Sequence, residues 1–507
     1  MKRLAVAAAA LVLAACPRQE PAPGIGKRVA EGAIQALRPS GDGQYLAFLD
    51  ACAPVRDRTV PVGTSSCDLR VVPAAGGETV LVAHGVTTLP GGFAWSSEGH
   101  VLAALDGLDI GSGQGTLVAW SPGGGPRRLG EGVSFWAFAP RGRLLGFAWR
   151  GQLQLWHPGA EAEPLPGLDG VATFEFHPQG EAGVPLLLVR RALAAGGDLL
   201  AATPGRKPVR VGGPAGDYGF SPGGDRFAFT ERSGEGRDLH LVSSSAPGAK
   251  GPMLGEDVAS FAFSHDGRSL AFVAGEVPGK LGDLWVATGA ERPVRLAAGV
   301  GEYRWARGAA RLAWLQGYDP RVRSGTIASG PPRGGKAAPL GPNVSAFEMS
   351  PDGEALAFLE HTVQGGYSVD LQLARGGAAV RVAPGVFGFD FSPDGKEIWY
   401  RTACRRSAEA CDLHAAPVSD PARDRRIADG VKSFEWDRRA PGRVLLGWSR
   451  EDRVALDIAV WEEGKLTPVD RSVLPGSASF LAPDSRRIAY AVNDPRRQGV
   501  YVAELPR

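Results

Sequence analysis

Three acidic residues occupy matching positions in the C-terminal half of the sequence. Glu348, Asp390 and Glu435 each stand between two large apolar residues of a short alternating stretch, and Arg304 holds the same position in the stretch before them. Carboxylates repeated on neighbouring strands form a negative wall, which attracts a cation or a basic protein segment. We therefore predict a binding surface at these four residues; solvated or locally paired charges are the alternative. Earlier stretches hold a small residue at this position: Ala94, Ala137, Gly219 and Ala262. The exception is Glu175.

Other residues that could do chemistry are scattered along the chain. The eight histidines form no His-x-x-x-His pair and no cluster with metal-ligand spacing. The nearest match to a Gly-x-Ser-x-Gly nucleophile elbow, at residues 447–451, ends in Glu451. Glycine-rich runs such as residues 111–115 lie between strands and not before helices, so they predict no phosphate site. We therefore expect no catalytic residue, no metal and no cofactor, and a protein that is not an enzyme.

The first residues predict an export signal. Lys2 and Arg3 precede an apolar run from Leu4 to Leu13, which is too short to cross a membrane as a helix. The run ends in Leu-Ala-Ala-Cys at residues 13–16, which resembles the bacterial lipobox. That resemblance implies a signal peptide at residues 1–15 and a lipid on Cys16. An ordinary secretory signal is the alternative.

Residues 16–26 form a short proline-rich tether without a packing pattern. In the enterobacterial sorting rule, an aspartate after the lipidated cysteine retains a lipoprotein on the inner membrane. Because Pro17 stands there, the resemblance implies the outer membrane, with the folded part facing the periplasm.

The four remaining cysteines form two pairs in equivalent contexts. Cys52 and Cys404 each follow an apolar strand, while Cys67 and Cys411 each precede Asp-Leu at the start of the next strand. In an oxidising compartment this pattern predicts two disulfides, Cys52–Cys67 and Cys404–Cys411, each closing one hairpin. Zinc binding is the alternative, although the spacing is not Cys-x2-Cys and no histidine pair is near.

One unit of about 44 residues repeats along the chain. Its clearest copies are Met349–Phe358 (MSPDGEALAF) and Phe391–Tyr400 (FSPDGKEIWY). Each predicts an alternating strand, a tight Ser-Pro-Asp-Gly turn and a second strand, with a third and a fourth strand after loops. Four short antiparallel strands per repeat are typical of a β-propeller blade. The residues at the proline position of the eleven copies are Gly41, Ser97, Pro140, Pro178, Pro222, His265, Arg307, Pro351, Pro393, Arg438 and Pro483.

These units resemble the PD40 repeats of TolB-like β-propellers, which are related to tryptophan-aspartate repeat propellers. The resemblance covers residues 27–507 and implies an all-β fold of about eleven four-stranded antiparallel blades. One ring usually holds four to eight blades, so we expect two rings, at residues 27–255 and 256–507, with one large ring as the alternative. Residues 26–30 resemble the fourth strand that the last repeat lacks, and this N-terminal strand would close the structure.

Composition agrees with many short strands and excludes one class of partner. The 507 residues include 71 glycines and 40 prolines, which suit tight turns better than helices. The chain has 56 Lys and Arg residues, of which Lys2 and Arg3 lie in the predicted signal. The remaining 54 balance the 54 Asp and Glu residues, so the net charge without the signal is zero. A neutral chain is not expected to bind nucleic acid.

The combined patterns predict a membrane-anchored envelope scaffold. It would bind another envelope protein through loops on a rigid frame, above all the two disulfide hairpins. A propeller that binds a small molecule or a glycan is the alternative, and a propeller hydrolase or lyase is a further one.

Overall fold

The structure is a computed structural model that describes residues 24–506, except 57–59, 90, 181–186, 192–196, 250, 277–279, 290, 334–336, 338, 363–368, 406–409 and 450–454. The predicted signal peptide, Cys16 and the tether up to residue 23 lie outside the described residues. Within them the chain is built from β-strands, and a 3₁₀ turn at Pro421–Arg423 is the sole helical element. No helix in this part of the chain is long and apolar enough to cross a membrane.

The Ser-Pro-Asp-Gly turns are held by their own side chains. The Ser350 hydroxyl donates a hydrogen bond to Asp352 (2.6 Å) and accepts one from the Ala355 amide (2.9 Å). The Gly353 amide donates to the Ser350 carbonyl (2.8 Å), and its φ of +73° lies in the left-handed region that favours glycine. The turn therefore reverses the chain tightly and sets the register of the two strands that it joins.

The N-terminal third contains strand β1 and three separate four-stranded antiparallel sheets. Their bounds are β1 (Lys27–Glu31); β2 (Ala36–Pro39), β3 (Tyr45–Pro54), β4 (Ser65–Pro73) and β5 (Val80–Thr87); β6 (Phe93–Trp95), β7 (Leu102–Asp109), β8 (Gln114–Ser121) and β9 (Gly125–Val133); β10 (Phe135–Phe138), β11 (Leu145–Trp149), β12 (Gln152–Trp156) and β13 (Glu163–Asp169).

The middle of the chain forms a seven-stranded sheet, a four-stranded sheet and a second seven-stranded sheet. Their bounds are β14 (Val171–Phe176), β15 (Leu187–Arg191), β16 (Gly197–Ala202), β17 (Val209–Phe220), β18 (Arg226–Ser233), β19 (Gly236–Ser243) and β20 (Met253–Gly255); β21 (Val258–Phe263), β22 (Ser269–Ala274), β23 (Asp283–Thr288) and β24 (Val294–Ala297); β25 (Val300–Trp305), β26 (Leu312–Asp319), β27 (Ser324–Gly330), β28 (Pro339–Met349), β29 (Ala355–His361), β30 (Val369–Arg375) and β31 (Ala379–Ala383).

The C-terminal strands form one eleven-stranded sheet together with β1. Their bounds are β32 (Gly388–Phe391), β33 (Glu397–Arg405), β34 (Ala410–Pro417), β35 (Arg425–Trp436), β36 (Arg443–Ser449), β37 (Leu456–Glu462), β38 (Lys465–Val473), β39 (Ser479–Leu481), β40 (Arg487–Val492) and β41 (Gly499–Glu504).

The larger sheets consist of four-stranded units that share a long strand. Strand β17, for example, pairs with β16 through residues 209–215 and with β18 through residues 215–220. Strands β28 and β35 divide their pairing in the same way. At these three places the chain passes from the last strand of one unit to the first strand of the next without a loop.

The two ends of the described chain meet in one unit. Strand β1 pairs antiparallel with β41, with Lys27 opposite Val502 and Glu31 opposite Gly499. It is the fourth strand beside β39, β40 and β41, so the predicted pairing of the N-terminal strand with the last unit is confirmed.

Apolar clusters lie between consecutive units. Leu49 of β3 packs with Phe93 of β6, which belongs to the next unit. Another cluster joins the last unit to the first, since Ala489 of β40 packs with Phe48 of β3 and Ala30 of β1. Four-stranded antiparallel units packed in series in this way have the architecture of a β-propeller.

Candidate functional site

A cavity of about 360 Å³ lies where the first strands of three consecutive units meet. The predicted Glu348, Asp390 and Glu435 all line it, from the end of β28, from β32 and from the end of β35. We call it the acidic cavity. Its other lining residues are Arg307, Pro351, Phe391, Pro393, Phe434, Trp436 and Arg438.

Strand alternation directs the three carboxylates into this cavity. Phe347 and Met349, on either side of Glu348, are buried in an apolar cluster, whereas the Glu348 side chain is 22% exposed. The three carboxylates also share one register position in their units, opposite residues of the second strand: Ala357, Trp399 and Leu445. The repeated backbone therefore places each acidic side chain in the same way.

Burial raises the pKa of all three carboxyl groups. At Glu348 the negative charge of Asp390 raises the pKa further. Nearby arginines oppose the effect of burial, namely Arg307 at the first two carboxyl groups and Arg438 at Asp390 and Glu435. A bound cation would favour the ionised carboxylates, so the cavity is arranged to gain from cation binding.

Two arginines of the acidic cavity were missed in the prediction from sequence. The Nη2 atom of Arg307 lies 2.6 Å from Oε1 of Glu348, and Arg438 also lines the cavity. Both stand where the two intervening turns have a proline, Pro351 and Pro393. Replacement of that proline by arginine in the two turns that flank the acidic residues was the signal that could have identified them.

Arg304 lies outside the lining of the acidic cavity. Its Nη2 atom is 2.6 Å from Glu302, and its guanidinium group stacks over the ring of Phe347 at 5.5 Å. Its charge still lowers the pKa of Glu348. Arg304 therefore acts on the cavity electrostatically and is not part of its surface.

Aromatic side chains give the acidic cavity an apolar wall, formed by Phe391, Phe434 and Trp436. An aromatic face beside a carboxylate suits an ammonium or guanidinium group, because both attract a cation. The three carboxyl groups also exceed the two arginines by one charge when all are ionised. Among the described residues, no group of three or more His, Cys, Asp and Glu is arranged to hold a metal ion.

The earlier units keep the register but change the side chain. Their small residues hold the same register position as the three carboxylates: Ala94, Ala137, Gly219 and Ala262 lie opposite Ala103, Gly146, Ala228 and Ala271. Glu175 accepts a hydrogen bond from the Phe220 amide (3.5 Å), and burial raises its pKa. Arg38, not singled out from the sequence, holds this position in the first unit and stacks over Phe93 at 4.8 Å.

Both predicted disulfides are confirmed. Cys52 and Cys67 have a Cα–Cα distance of 4.0 Å, and Cys404 and Cys411 one of 3.9 Å. Each bond joins the second and third strands of its unit, at the end opposite the Ser-Pro-Asp-Gly turn. The two hairpins therefore project from the same face of their units.

The disulfides follow a shared irregularity of the second strand. Ala51 and Ala403, each directly before a cysteine, have φ of +47° and +48° and lie in a shift of register. Two other units have a glycine at this place, Gly107 (φ +60°) and Gly317 (φ +57°). The same bulge thus occurs with and without a disulfide.

In the two hairpins that have Gly107 and Gly317 at the bulge, a glycine also replaces the second cysteine. A Cβ atom on Gly115 would lie 3.3 Å from the Cα atom of Leu108, and one on Gly325 would lie 3.2 Å from the Cα atom of Tyr318. Such close contacts require a very small residue on the third strand. In these four hairpins, the third strand has either a glycine or a disulfide-bonded cysteine at the position of close approach.

No protein-family model and no curated protein matches the chain. Solved structures similar to it include a Dos1 propeller (10% identity, TM-score 0.36, covering 66% of this chain and 92% of that one). Another is an oligogalacturonate lyase in complex with manganese (15% identity, TM-score 0.32, covering 64% of this chain and 97% of that one). A third is the tricorn protease (11% identity, TM-score 0.24, covering 94% of this chain and 57% of that one). At these identities the similarity concerns the fold alone.

The expectation that the chain is not an enzyme is contradicted by this comparison. Two of the similar structures, the lyase and the protease, are enzymes. The expectation depended on the lack of a local catalytic motif, but residues of distant units can converge without one. Absence of a motif in a repeated β-fold is therefore not evidence against catalysis.

Proposed function

We propose that this protein is a lipid-anchored β-propeller of the bacterial cell envelope that binds a basic segment of another protein in its acidic cavity. The anchor is the lipid on Cys16, and the location is the periplasmic side of the outer membrane. The observation that carries the binding proposal is the convergence of Glu348, Asp390 and Glu435 on one cavity.

We infer further that the repeats, of the PD40 type, number eleven and close as one ring. Among the described residues there are eleven apolar clusters, and each joins units that follow one another, the last with the first. Arg487 of the last unit also donates to the Gly43 carbonyl of the first (3.4 Å). Two rings, at residues 27–255 and 256–507, would need packing between non-consecutive units, so the clusters favour one ring.

A basic protein segment fits the acidic cavity better than an isolated metal ion. The carboxylates come from three different units, whose packing fixes their separation. Lys and Arg side chains can reach such a site while their stems lie along Phe391, Phe434 and Trp436. The two disulfide hairpins, which project from the other face, offer rigid contact regions for a protein partner of their own.

The test is a binding measurement on the chain from residue 17 onward, purified without the lipid. The probes are three fluorescent peptides of equal length that are rich in Lys and Arg, rich in Glu, or uncharged. We expect the basic peptide to bind, and the triple variant Glu348→Gln, Asp390→Asn, Glu435→Gln to weaken its binding at least about tenfold, because each change removes a charge-assisted contact.

A matched control removes the same charge elsewhere. Glu161→Gln, Asp420→Asn and Glu463→Gln neutralise three exposed carboxylates outside the lining of the acidic cavity. If both triple variants weaken binding equally, general electrostatic attraction explains the result and the cavity is not the site. If the basic and uncharged peptides bind alike, the basic partner is excluded.

A further inference from the structure

The chain joins the fold at a closely packed point on the outer strands. The Ile25 amide donates a hydrogen bond to the Val469 carbonyl of β38 (3.1 Å). Two residues later β1 begins and pairs with β41. Strands β38 and β1 are the fourth strands of the last two units, so the chain is attached to the rim of the propeller from Ile25 onward.

Two glycines allow the chain to pass over buried polar side chains there. A Cβ atom on Gly24 would lie 2.1 Å from Cγ of Asp470, and one on Gly26 would lie 2.0 Å from the Tyr490 hydroxyl. Tyr490 donates to Asp470 (2.8 Å), and Nη2 of Arg497 lies 2.8 and 2.7 Å from its two carboxylate oxygens. Because these side chains hold one another in place, the position of residues 24–26 on the rim is well defined.

The stretch of chain between this point and the predicted lipid is short. Seven residues, 17–23, separate Cys16 from Gly24. Even a fully extended chain spans only about 28 Å over this distance, at about 3.5 Å per residue. A lipid on Cys16 would therefore hold this part of the rim within about 28 Å of the bilayer surface.

The rim at this point exposes apolar and basic side chains. Ile25 is 50% exposed, and Leu466, three residues before Val469 on β38, is 45% exposed. Lys27 and Lys465 are exposed next to them in sequence. Apolar side chains accompanied by lysines suit the headgroup region of a bilayer, where the apolar part is buried and the ammonium groups meet lipid phosphates.

We propose that the rim formed by Ile25, β1 and β38 rests against the lipid bilayer, so that the propeller stands edge-on to the membrane. The inference rests on the proposed lipid on Cys16 and adds an orientation to it. In the proposed single ring, the outer strands of distant units, such as β20, then point away from the membrane.

The test compares two matched rim positions in membrane-bound protein. Leu466 on β38 and Met253 on β20 both lie on the fourth strand of a unit, and their exposed fractions are 45% and 49%. Each is replaced in turn by an azide-bearing residue that carries a bimane dye, so that all cysteines remain. The lipidated full chain is reconstituted in vesicles of phosphatidylethanolamine and phosphatidylglycerol with nitroxide-labelled phosphatidylcholine.

We expect the lipid nitroxide to quench the dye at position 466 at least about twofold more than the dye at position 253, because the tether limits the distance of the first position only. Equal quenching in protein that floats with the vesicles would overturn the orientation and leave the anchor intact. Protein that lacks the lipid by mass spectrometry and does not float would overturn the anchor and the orientation together.

Discussion

The units up to the one that contains Ala262 share a backbone with the later units that contain Glu348, Asp390 and Glu435, and the two groups differ at one side-chain position of the first strand. Around Ala262, the flanking Phe261 and Phe263 pack against an apolar cluster between units. Around Glu348, the flanking Phe347 and Met349 do the same. The residue in the middle takes no part in either cluster, so it can change while the frame stays intact. In a repeat protein, such positions are where units acquire different functions.

One turn, at Asp437, is held differently from the turns that contain a serine at the same position. Ser264 bonds to Asp266 within its own turn (2.6 Å), whereas the matching Asp437 lies 3.7 Å from Arg443, and both are buried. Ser485 of the next unit donates to Asp437 as well (3.0 Å). A hydrogen bond from a serine hydroxyl to an aspartate of its own turn is thus replaced by a buried ion pair that also contacts the neighbouring unit, so a change there has larger consequences.

The largest effect is predicted for a substitution that breaks the buried ion pair of Asp437 and Arg443. Asp437→Asn leaves the Arg443 charge, 3% exposed, without one of its carboxylates, although Glu462 stays 2.6 Å away. We expect a loss of about 3 kcal/mol in the free energy of unfolding. Ser264→Ala, which removes the hydroxyl that donates to the Asp266 carboxylate, should cost about 2 kcal/mol. Urea unfolding of both variants makes the comparison, and equal losses would show that the two turns are held equally strongly.

The second prediction concerns the disulfide hairpin, which occurs once in each half of the chain. Cys52→Ser with Cys67→Ser should lower the free energy of unfolding by about 3 kcal/mol, because it opens a loop of 15 residues. Cys52→Leu with Cys67→Gly copies the hairpin of Leu108 and Gly115, and it should restore part of that loss. The measurement is thermal unfolding without reductant. If the Leu/Gly pair is no more stable than the Ser pair, the two kinds of hairpin are not interchangeable.

The smallest predicted effect concerns pH. Because burial raises the pKa of Glu348, Asp390 and Glu435, the folded protein takes up protons at higher pH than the unfolded chain, and its stability rises as the pH falls through that window. As the pH falls toward the ordinary carboxyl pKa of about 4, we expect a gain of about 1 kcal/mol, reduced by solvent screening at Glu435, the most exposed of the three side chains. Turn aspartates such as Asp352, whose pKa is lowered, reduce stability only nearer pH 4 and below.

The variants test whether this gain belongs to the C-terminal half. The triple variant Glu348→Gln, Asp390→Asn, Glu435→Gln should lose most of the gain, whereas Glu175→Gln in the N-terminal half should remove only a small part. Urea unfolding across the pH range measures both. A triple variant that keeps the full gain would assign the pH dependence to other groups.

Local and repeated signals were enough to predict much of the fold and part of the site. The alternating stretches and Ser-Pro-Asp-Gly turns predicted four-stranded units, because each is fixed by contacts within a few residues, as in Ser350 with Asp352. Equivalent contexts in two units predicted Cys52 with Cys67 correctly. The shared register position likewise predicted that Glu348 and Asp390 would lie together, as they do in the acidic cavity.

Individual contacts between residues far apart in the sequence could not be predicted, since they depend on packing that no single repeat contains. Arg307 reaches Glu348 from the unit before it, and Gly26 lies against Tyr490 from the other end of the chain. Arg304 was placed in the site by its register alone, but pairing with Glu302 keeps it out of the cavity lining. The mistaken exclusion of catalysis has the same origin, because convergence of distant units leaves no local motif.

The pairing of β1 with β41 also has a consequence for the order of events during synthesis. The first strand of the fold to leave the ribosome is the one whose partner is made last, so Lys27–Glu31 must remain without a partner strand until the rest of the chain exists. An unpaired strand edge invites association with other chains. Lys27, Arg28 and Glu31 place charges on three of its five residues, which protects this edge until Gly499–Glu504 arrives.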